Sequence, residues 1–423
     1  MLPLDARQLE QVCARLYSRT DRVIGWGSGS VFDYFHSLYP IRLDYLVDNN
    51  SARWGQQRRG IEIASPERLL SEIPKETVII IYSSSWTEIR DQIAEIGQFA
   101  AIPASAAFAD ASVREKLSWA EAVVNRSTTR RPDPTNTIVV QGGVTKGVTA
   151  HVLRTLTAVN PNCLVLLSTW TDTEPELLAE AAAAADVVVT SVPPAVAGVQ
   201  NRNRQIISTR AGIDRAMSLG ARTILKTRTD LAILGESLFD QRERWLRSVD
   251  ATRAREWGLR DRLIVPSSYT RKYLLYHPSD LAMLGAAEDM AQFWSAPLDP
   301  RSGELLTVAS PDAPMAAVNL AGHPTESYLG LRFCRTLGRP VAGTLADSWA
   351  FYRDLFAVVD NDWFDLLWFK NLSIPDAARR TGVRQMVTAA FWHRLFACDP
   401  LIERDLLDIN PSQVALGALA GAA

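Results

Sequence analysis

Arg22-Val23-Ile24-Gly25-Trp26 runs straight into Gly27-Ser28-Gly29-Ser30, and this junction decides how the chain is read. An apolar strand entering a glycine-rich turn, with a helical pattern behind it, is the opening of a strand–helix–strand unit. The pattern repeats outward. Leu43-Asp44-Tyr45-Leu46-Val47 ends in Asp48-Asn49-Asn50, a second strand closed by a turn cluster. Ser65-Pro66-Glu67 opens a helix, with serine as cap and proline in the first position. Thr77-Val78-Ile79-Ile80-Ile81-Tyr82 is apolar without alternation, as a parallel strand covered on both faces requires. Glu88 to Gly97 is helical and stops at glycine. The first hundred residues are therefore expected to form a small Rossmann-like parallel sheet.

A helix near 111–124 leads into Asn125-Arg126-Ser127-Thr128-Thr129-Arg130-Arg131-Pro132-Asp133-Pro134, the polar, proline-bearing stretch best suited to a boundary. Beyond it the alternation restarts, with strands expected at Thr137–Gln141, Cys163–Ser168, Asp186–Thr190, Arg222–Lys226 and Leu263–Pro266. The longest intervening helix spans about Arg202 to Leu219. This is a second α/β sheet, large enough to bind a ligand at its strand ends. From about 326 onward the chain reads as mostly helical and rich in Trp and Phe. The expected organisation is thus 1–124, a linker over 125–135, a second α/β domain over 136–340, and a helical region over 341–423.

Composition narrows the partners. The 423 residues suit two domains, and 47% apolar with 22% charged residues gives material for real cores. Net charge is −2 with no basic block, which argues against nucleic acid. Of the cations only six are Lys; with the many Ala, that bias reflects genomic composition. Cys13, Cys163, Cys334 and Cys398 are scattered, with no zinc-type spacing, as in a reduced intracellular chain. No apolar run reaches the ~20 residues of a membrane span, and the start MLPLDARQLEQ lacks the apolar core of a signal peptide.

Four constellations bear on chemistry. In the first turn, Gly25, Gly27 and Gly29 would let backbone approach a phosphate, and Asp48 lies where an acid accepts hydrogen bonds from a ribose. The third fingerprint glycine is replaced by Ser30 or Val31, so a ligand-free turn is an equal reading. No Tyr-x-x-x-Lys pair appears in residues 1–110, where His36 is the sole histidine, which argues against redox use. The second constellation is Lys226-Thr227-Arg228-Thr229-Asp230. Alternation sends Lys226, Arg228 and Asp230 to one face at a strand end. Cations there suit a diphosphate, and the acid suits a divalent ion that bridges phosphates. The third is Asn201-Arg202-Asn203-Arg204-Gln205, offering a helix cap together with donors for phosphate or sugar hydroxyls. The fourth is acidic: Asp280, Asp289 and Glu326, each expected at a helix start, any of which could serve as the base that activates a hydroxyl. No GxSxG is present, the histidines show no metal spacing, and His151 reads as a packing residue.

The ordered set Val139-Val140-Gln141-Gly142-Gly143, Leu167-Ser168-Thr169-Trp170, Asn203-Arg204-Gln205-Ile206-Ile207-Ser208-Thr209, Lys226–Asp230, Ser279-Asp280 with Leu284-Gly285, and Glu326-Ser327-Tyr328-Leu329 resembles the WavE family of lipopolysaccharide-synthesis proteins, over about residues 136–340. The resemblance implies a GT-A-like fold and glycosyl transfer to bacterial surface polysaccharide. It implies donor binding by Gln141, Gly142, Thr145, Asn203, Arg204, Gln205, Lys226 and Arg228, with Mg2+ or Mn2+ at Asp230. Family members usually show Gln-Gly-Pro where this chain has Gln141-Gly142-Gly143, which changes loop stiffness near the expected nucleotide base. The first hundred residues resemble Rossmann-like modules of sugar-modifying enzymes, some of which bind a nucleotide sugar there.

The expected function is a cytoplasmic glycosyltransferase that moves a sugar from a nucleotide sugar to a growing polysaccharide, lipopolysaccharide or lipid-linked glycan. Peripheral contact with the inner face of the membrane or with an assembly complex fits the same reading. Glu326 or Asp280 is the preferred base. The alternatives are a nucleotidyl- or phosphosugar transferase on the same sheet, and a non-catalytic scaffold of a polysaccharide assembly complex. For the N-terminal module, docking of partner enzymes stands beside nucleotide-sugar binding.

Overall fold

The computed structural model of the chain describes residues 6–16, 21–109, 111–125, 129–301, 320–322, 324–370, 372 and 386–397. Residues 126–128 of the expected linker, His323, Cys398 and much of the C-terminal region lie outside the described residues. The chain divides into two compact units. One takes the described residues up to 122 with 368–370 and 372; the other takes 123–367 and 386–397.

In the first unit, β1 (Arg22–Trp26), β2 (Tyr45–Val47), β3 (Gln57–Arg58), β4 (Ile61–Ala64), β5 (Thr77–Ile81) and β6 (Ala100–Pro103) form one sheet, ordered β3-β4-β2-β1-β5-β6. All pairs are parallel except β3 with β4. The uninterrupted apolar run of β5 is buried from end to end, as a strand covered on both faces must be. The helix expected at Ser65-Pro66-Glu67 is a short 3-10 helix, Pro66–Ser71, with the Ser65 hydroxyl accepting from the Glu67 amide at 3.1 Å. Pro74 follows closely and holds Ile73 extended, which leaves no room for a second turn of α-helix.

In the second unit, β7 (Asp133–Gln141), β8 (Cys163–Trp170), β9 (Val187–Ser191), β10 (Thr223–Arg228), β12 (Leu263–Pro266), β13 (Met283–Ala286) and β14 (Phe356–Val359) make a sheet ordered β14-β12-β13-β10-β7-β8-β9. A short strand, β11 (Leu231–Ile233), lies outside it. β13 is antiparallel to both its neighbours, and every other pair is parallel. The described residues of the C-terminal part include the helices Leu345–Leu355, Asn361–Phe364 and Ala389–Arg394, and they also supply β14 to the edge of the sheet.

One expectation is corrected here. Asp280 does not start a helix. Leu281-Ala282-Met283-Leu284 has good helix formers, but Met283–Ala286 pairs along β10, and tertiary pairing overrides the local preference.

In both sheets the winding reverses about the first strand, between β1 and β5 and between β7 and β10. In open α/β sheets a ligand crevice forms at the carboxyl ends of the strands flanking such a reversal.

Candidate functional site

At the reversal in the second sheet, Arg228 of β10 stands in register with Gln141 of β7, so both strands end side by side. The chain leaves β7 through Gly142, whose φ of +131° suits glycine, and a Cβ there would come 2.9 Å from the Thr229 hydroxyl. Thr229 in turn donates its hydroxyl to the Gly143 carbonyl at 2.7 Å, tying the two strand ends together. Because β13 runs antiparallel with Lys226 opposite Met283, the residues just before β13 are delivered to this same end. Asp280 is one of them.

The charged groups gather there. Arg228 clasps Asp230 through Nε and Nη2, at 2.8 and 3.0 Å. Burial works against the charge on Arg228, yet the Asp230 carboxylate holds its pKa above the ordinary range. Lys226 is fully buried beneath; its ammonium donates to the Asp280 carbonyl and stands 4.9 Å from the centre of the Trp294 ring. Burial lowers its pKa to about 8, against the pull of Asp280. Gln205, one turn into the helix Arg202–Ser218, donates its amide to the Asp280 carboxylate.

Glu326 comes from the first turn of the helix Thr325–Thr336. That helix is pinned at its start: the Thr325 amide donates to Gln200 Oε1 at 3.0 Å, and the Ser327 hydroxyl donates to the Leu275 carbonyl at 2.8 Å. Burial pushes the Glu326 carboxyl well above the usual carboxylate range, and the neighbouring Asp280 adds to the shift. His277 stands against it, with Nε2 3.4 Å from Glu326 Oε2. Sequence reading missed His277. It sits in the irregular segment between β12 and β13, where no periodicity marks a site; the one available signal was its place three residues ahead of Asp280.

Several expected site residues are occupied otherwise. Asp289 lies at the far end of the sheet, since Thr223 and Ala286 face each other there, and its carboxylate accepts the amides of Arg260 and Asp261 at 3.0 to 3.2 Å. It anchors a turn and leaves the set of bases. Asn203 donates its amide to the carbonyls of Val196 and Asp299 and accepts the Asp299 amide, so it staples two loops rather than facing a donor. Arg202 is fully buried against Asp299 at 2.7 Å. Arg204 points to solvent from the helix. Lys226, expected against a diphosphate, is closed off from direct contact by its burial. Gln141 is buried and accepts from the Ser208 hydroxyl at 2.7 Å. Thr145 closes the loop after Gly142, its amide donating to the Thr149 hydroxyl at 2.9 Å.

The Mg2+ or Mn2+ expected at Asp230 finds a poor donor set. Both oxygens of Asp230 face Arg228, and among the described residues no three His, Cys, Asp or Glu side chains stand together as ligands.

The first sheet's reversal is different. Gly27 has φ +103°, and a Cβ on it would lie 2.6 Å from the Tyr82 carbonyl oxygen at the end of β5. Gly25 is small for packing, since a Cβ would meet Leu46 at 2.5 Å, so phosphate approach is not what requires it. Asp48 turns inward: it accepts from the Ser28 amide and hydroxyl, the Asn50 amide and Arg53. Burial opposes its charge, but these donors outweigh it and hold the carboxyl below its ordinary range. The acid expected to meet a ribose is used to fasten the turn. Gly29 precedes the helix Ser30–Leu38 with no side-chain cap.

The second unit thus gathers cations and carboxylates at one crevice, and the segment that builds most of it is similar to a known class of lipopolysaccharide-synthesis proteins. Residues 136–320 match the family model WavE lipopolysaccharide synthesis. Glu326 stands just past the matched segment. No curated protein and no solved structure gives a match. Among the described residues no helix is long and apolar enough to cross a membrane.

Proposed function

We propose that the second unit is a GT-A-like glycosyltransferase of lipopolysaccharide or related surface-polysaccharide synthesis, with a nucleotide sugar as donor and a polysaccharide or lipid-linked glycan as acceptor. The observation that carries this reading is the convergence of Arg228, Asp230, Asp280 and Glu326 at the carboxyl ends of β7 and β10, within and beside the family segment. The nucleotide enters along the turn of Gly142 and Gly143, with Gln141 buried behind it. Arg228 exchanges Asp230 for the diphosphate, whose oxygens match its planar fork. Lys226 adds positive potential from beneath without contact. In reactions of this kind, stabilising the charge that develops on the leaving group does more for the rate than any other single effect. Glu326, with Asp280 beside it, takes the proton of the acceptor hydroxyl. The work is done in the cytoplasm, where nucleotide sugars serve as donors, with peripheral contact at the inner face of the membrane where the acceptor is lipid-linked.

The test is a transfer assay with the full chain, a panel of nucleotide sugars and lipopolysaccharide-core or lipid-linked acceptors. Product analysis should show a new glycosidic bond and a free nucleoside diphosphate, both lost in Arg228→Ala. Release of a nucleoside monophosphate with sugar phosphate transferred would replace this reading by a phosphosugar transferase.

A further inference from the structure

His277 is held from three sides. Its backbone amide donates to the Tyr352 hydroxyl at 2.8 Å, and its carbonyl accepts from the Arg271 amide at 3.0 Å. Its ring Nδ1 lies 3.0 Å from the Tyr269 carbonyl oxygen. A carbonyl only accepts, so Nδ1 carries the hydrogen and Nε2 is left as a lone pair in the neutral ring. That lone pair faces Glu326 Oε2 at 3.4 Å. Two acceptors buried face to face repel unless one proton lies between them. Preceding Tyr276 is clamped as well: it has φ +53°, its amide donates to the Ser348 hydroxyl at 2.8 Å, and its carbonyl packs so tightly on Gly330 that a Cβ there would overlap it. The ring cannot swing away without disturbing two helices.

We propose that His277 is the positioning residue of this site, sharing a single proton with Glu326 and so setting the protonation state in which Glu326 meets the acceptor. The proposal rests on the reading of Glu326 as the base. In the transfer step the acceptor O–H bond breaks as its oxygen bonds to the sugar's anomeric carbon. The bond from that carbon to the diphosphate breaks, and its electron pair leaves on the diphosphate. The acceptor proton goes to Glu326, and the proton already there passes to Nε2, so the pair ends as a carboxylic acid beside an imidazolium. The charged groups around the pair are Arg271, Arg202, Lys226, Arg228 and Asp280. Burial, followed by Arg271, depresses the His277 pKa to about 3, in keeping with a proton that rests on the glutamate side.

Two measurements test this. Nitrogen NMR of the histidine rings in the unmodified full chain should show His277 as the neutral Nδ1–H tautomer, without titration between about pH 5 and 8, where a free histidine titrates near 6.5. The Nε2–H tautomer, or ordinary titration, would overturn the proposal, and this reading needs no transfer activity. The second is the pH profile of transfer in His277→Gln. His277→Gln has no ring nitrogen to take that proton, so Glu326 must itself be ionised to act as the base. The acidic limb of kcat, set in wild type by protonation of the His277 ring, should therefore move up by about one pH unit or more with the donor KM unchanged. An unmoved limb, with a well-folded variant, also overturns it. Absence of transfer by the wild-type chain, with the NMR result as expected, would count against the proposed function and leave the proton pair standing.

Discussion

The two sheets offer the same topological opportunity and treat it in opposite ways. Each reverses its winding about its first strand, and each such reversal opens toward a glycine-bearing turn. In the first, the acid beside the turn is taken up by the protein itself: Asp48 holds Ser28, Asn50 and Arg53, and Gly27 is pressed against Tyr82. In the second, charge is left in reserve. Arg228 and Asp230 satisfy each other, and two further carboxylates, Asp280 and Glu326, are held close enough that Asp280 raises the pKa of its neighbour. Perturbed titration in a crevice of mixed charge marks a candidate for chemistry, whereas a fully bonded carboxylate with a depressed pKa serves as a brace.

The comparison breaks most easily at Glu326. Glu326→Gln keeps shape and removes proton transfer, so turnover should fall by about 10²–10⁴, with the melting temperature unchanged; full turnover in a steady-state assay would remove the base. Arg228→Ala comes next. Arg228 is proposed to hold the diphosphate both before and during its departure, so its loss should cost about 10²–10³ or more in kcat/KM, to be read from initial rates at low donor. In the first unit the corresponding change should act on stability alone. Asp48→Ala strands the Ser28 and Asn50 donors and should cost about 1–3 kcal/mol in denaturant unfolding, with transfer by the second unit retained. A loss of transfer at native temperature would show that the first turn has a chemical role after all. The smallest effect is in pH dependence. The folded-state pKa of His277 is lowered to about 3 from an ordinary 6.5, so the folded state binds fewer protons in between. Stability should therefore decline as pH falls through that window, and the decline should be shallower in His277→Gln. Asp48 acts in the same direction at lower pH: its contribution is present above the ordinary carboxylate range and is lost as pH falls through its depressed folded value.

Much of this architecture was legible from residue order. Continuous apolar runs such as Val78–Ile81 have one stable placement, a parallel strand covered on both sides, and the cations ending β10 announce a strand end that faces something charged. The site was legible only where a residue's role follows from its own strand. Asp289 and Glu326 look alike in sequence, as acids in the first turn of a helix; the antiparallel register of β13 sends one to the far end of the sheet while the helix Thr325–Thr336 brings the other to the near end. Asn203 and Asp48 read as ligand-facing because polar residues after strands and at helix starts serve ligands and loops equally well, and only their hydrogen-bond partners separate the two. His277 was invisible because its placement depends on Tyr352 and Glu326, distant in sequence, as well as on Tyr269 and Arg271 of its own irregular segment.

The central claim is that ligand binding belongs to the second sheet's reversal and not to the first. Thermal unfolding of the full chain with a panel of nucleotide sugars tests it most directly, run on wild type, Arg228→Ala and Asp48→Ala. A nucleotide sugar present at about a hundred times its dissociation constant stabilises the state that binds it by about 2.7 kcal/mol. The account predicts that at least one nucleotide sugar raises the transition of wild type and of Asp48→Ala but leaves Arg228→Ala unmoved. A shift that survives in Arg228→Ala and disappears in Asp48→Ala would contradict it.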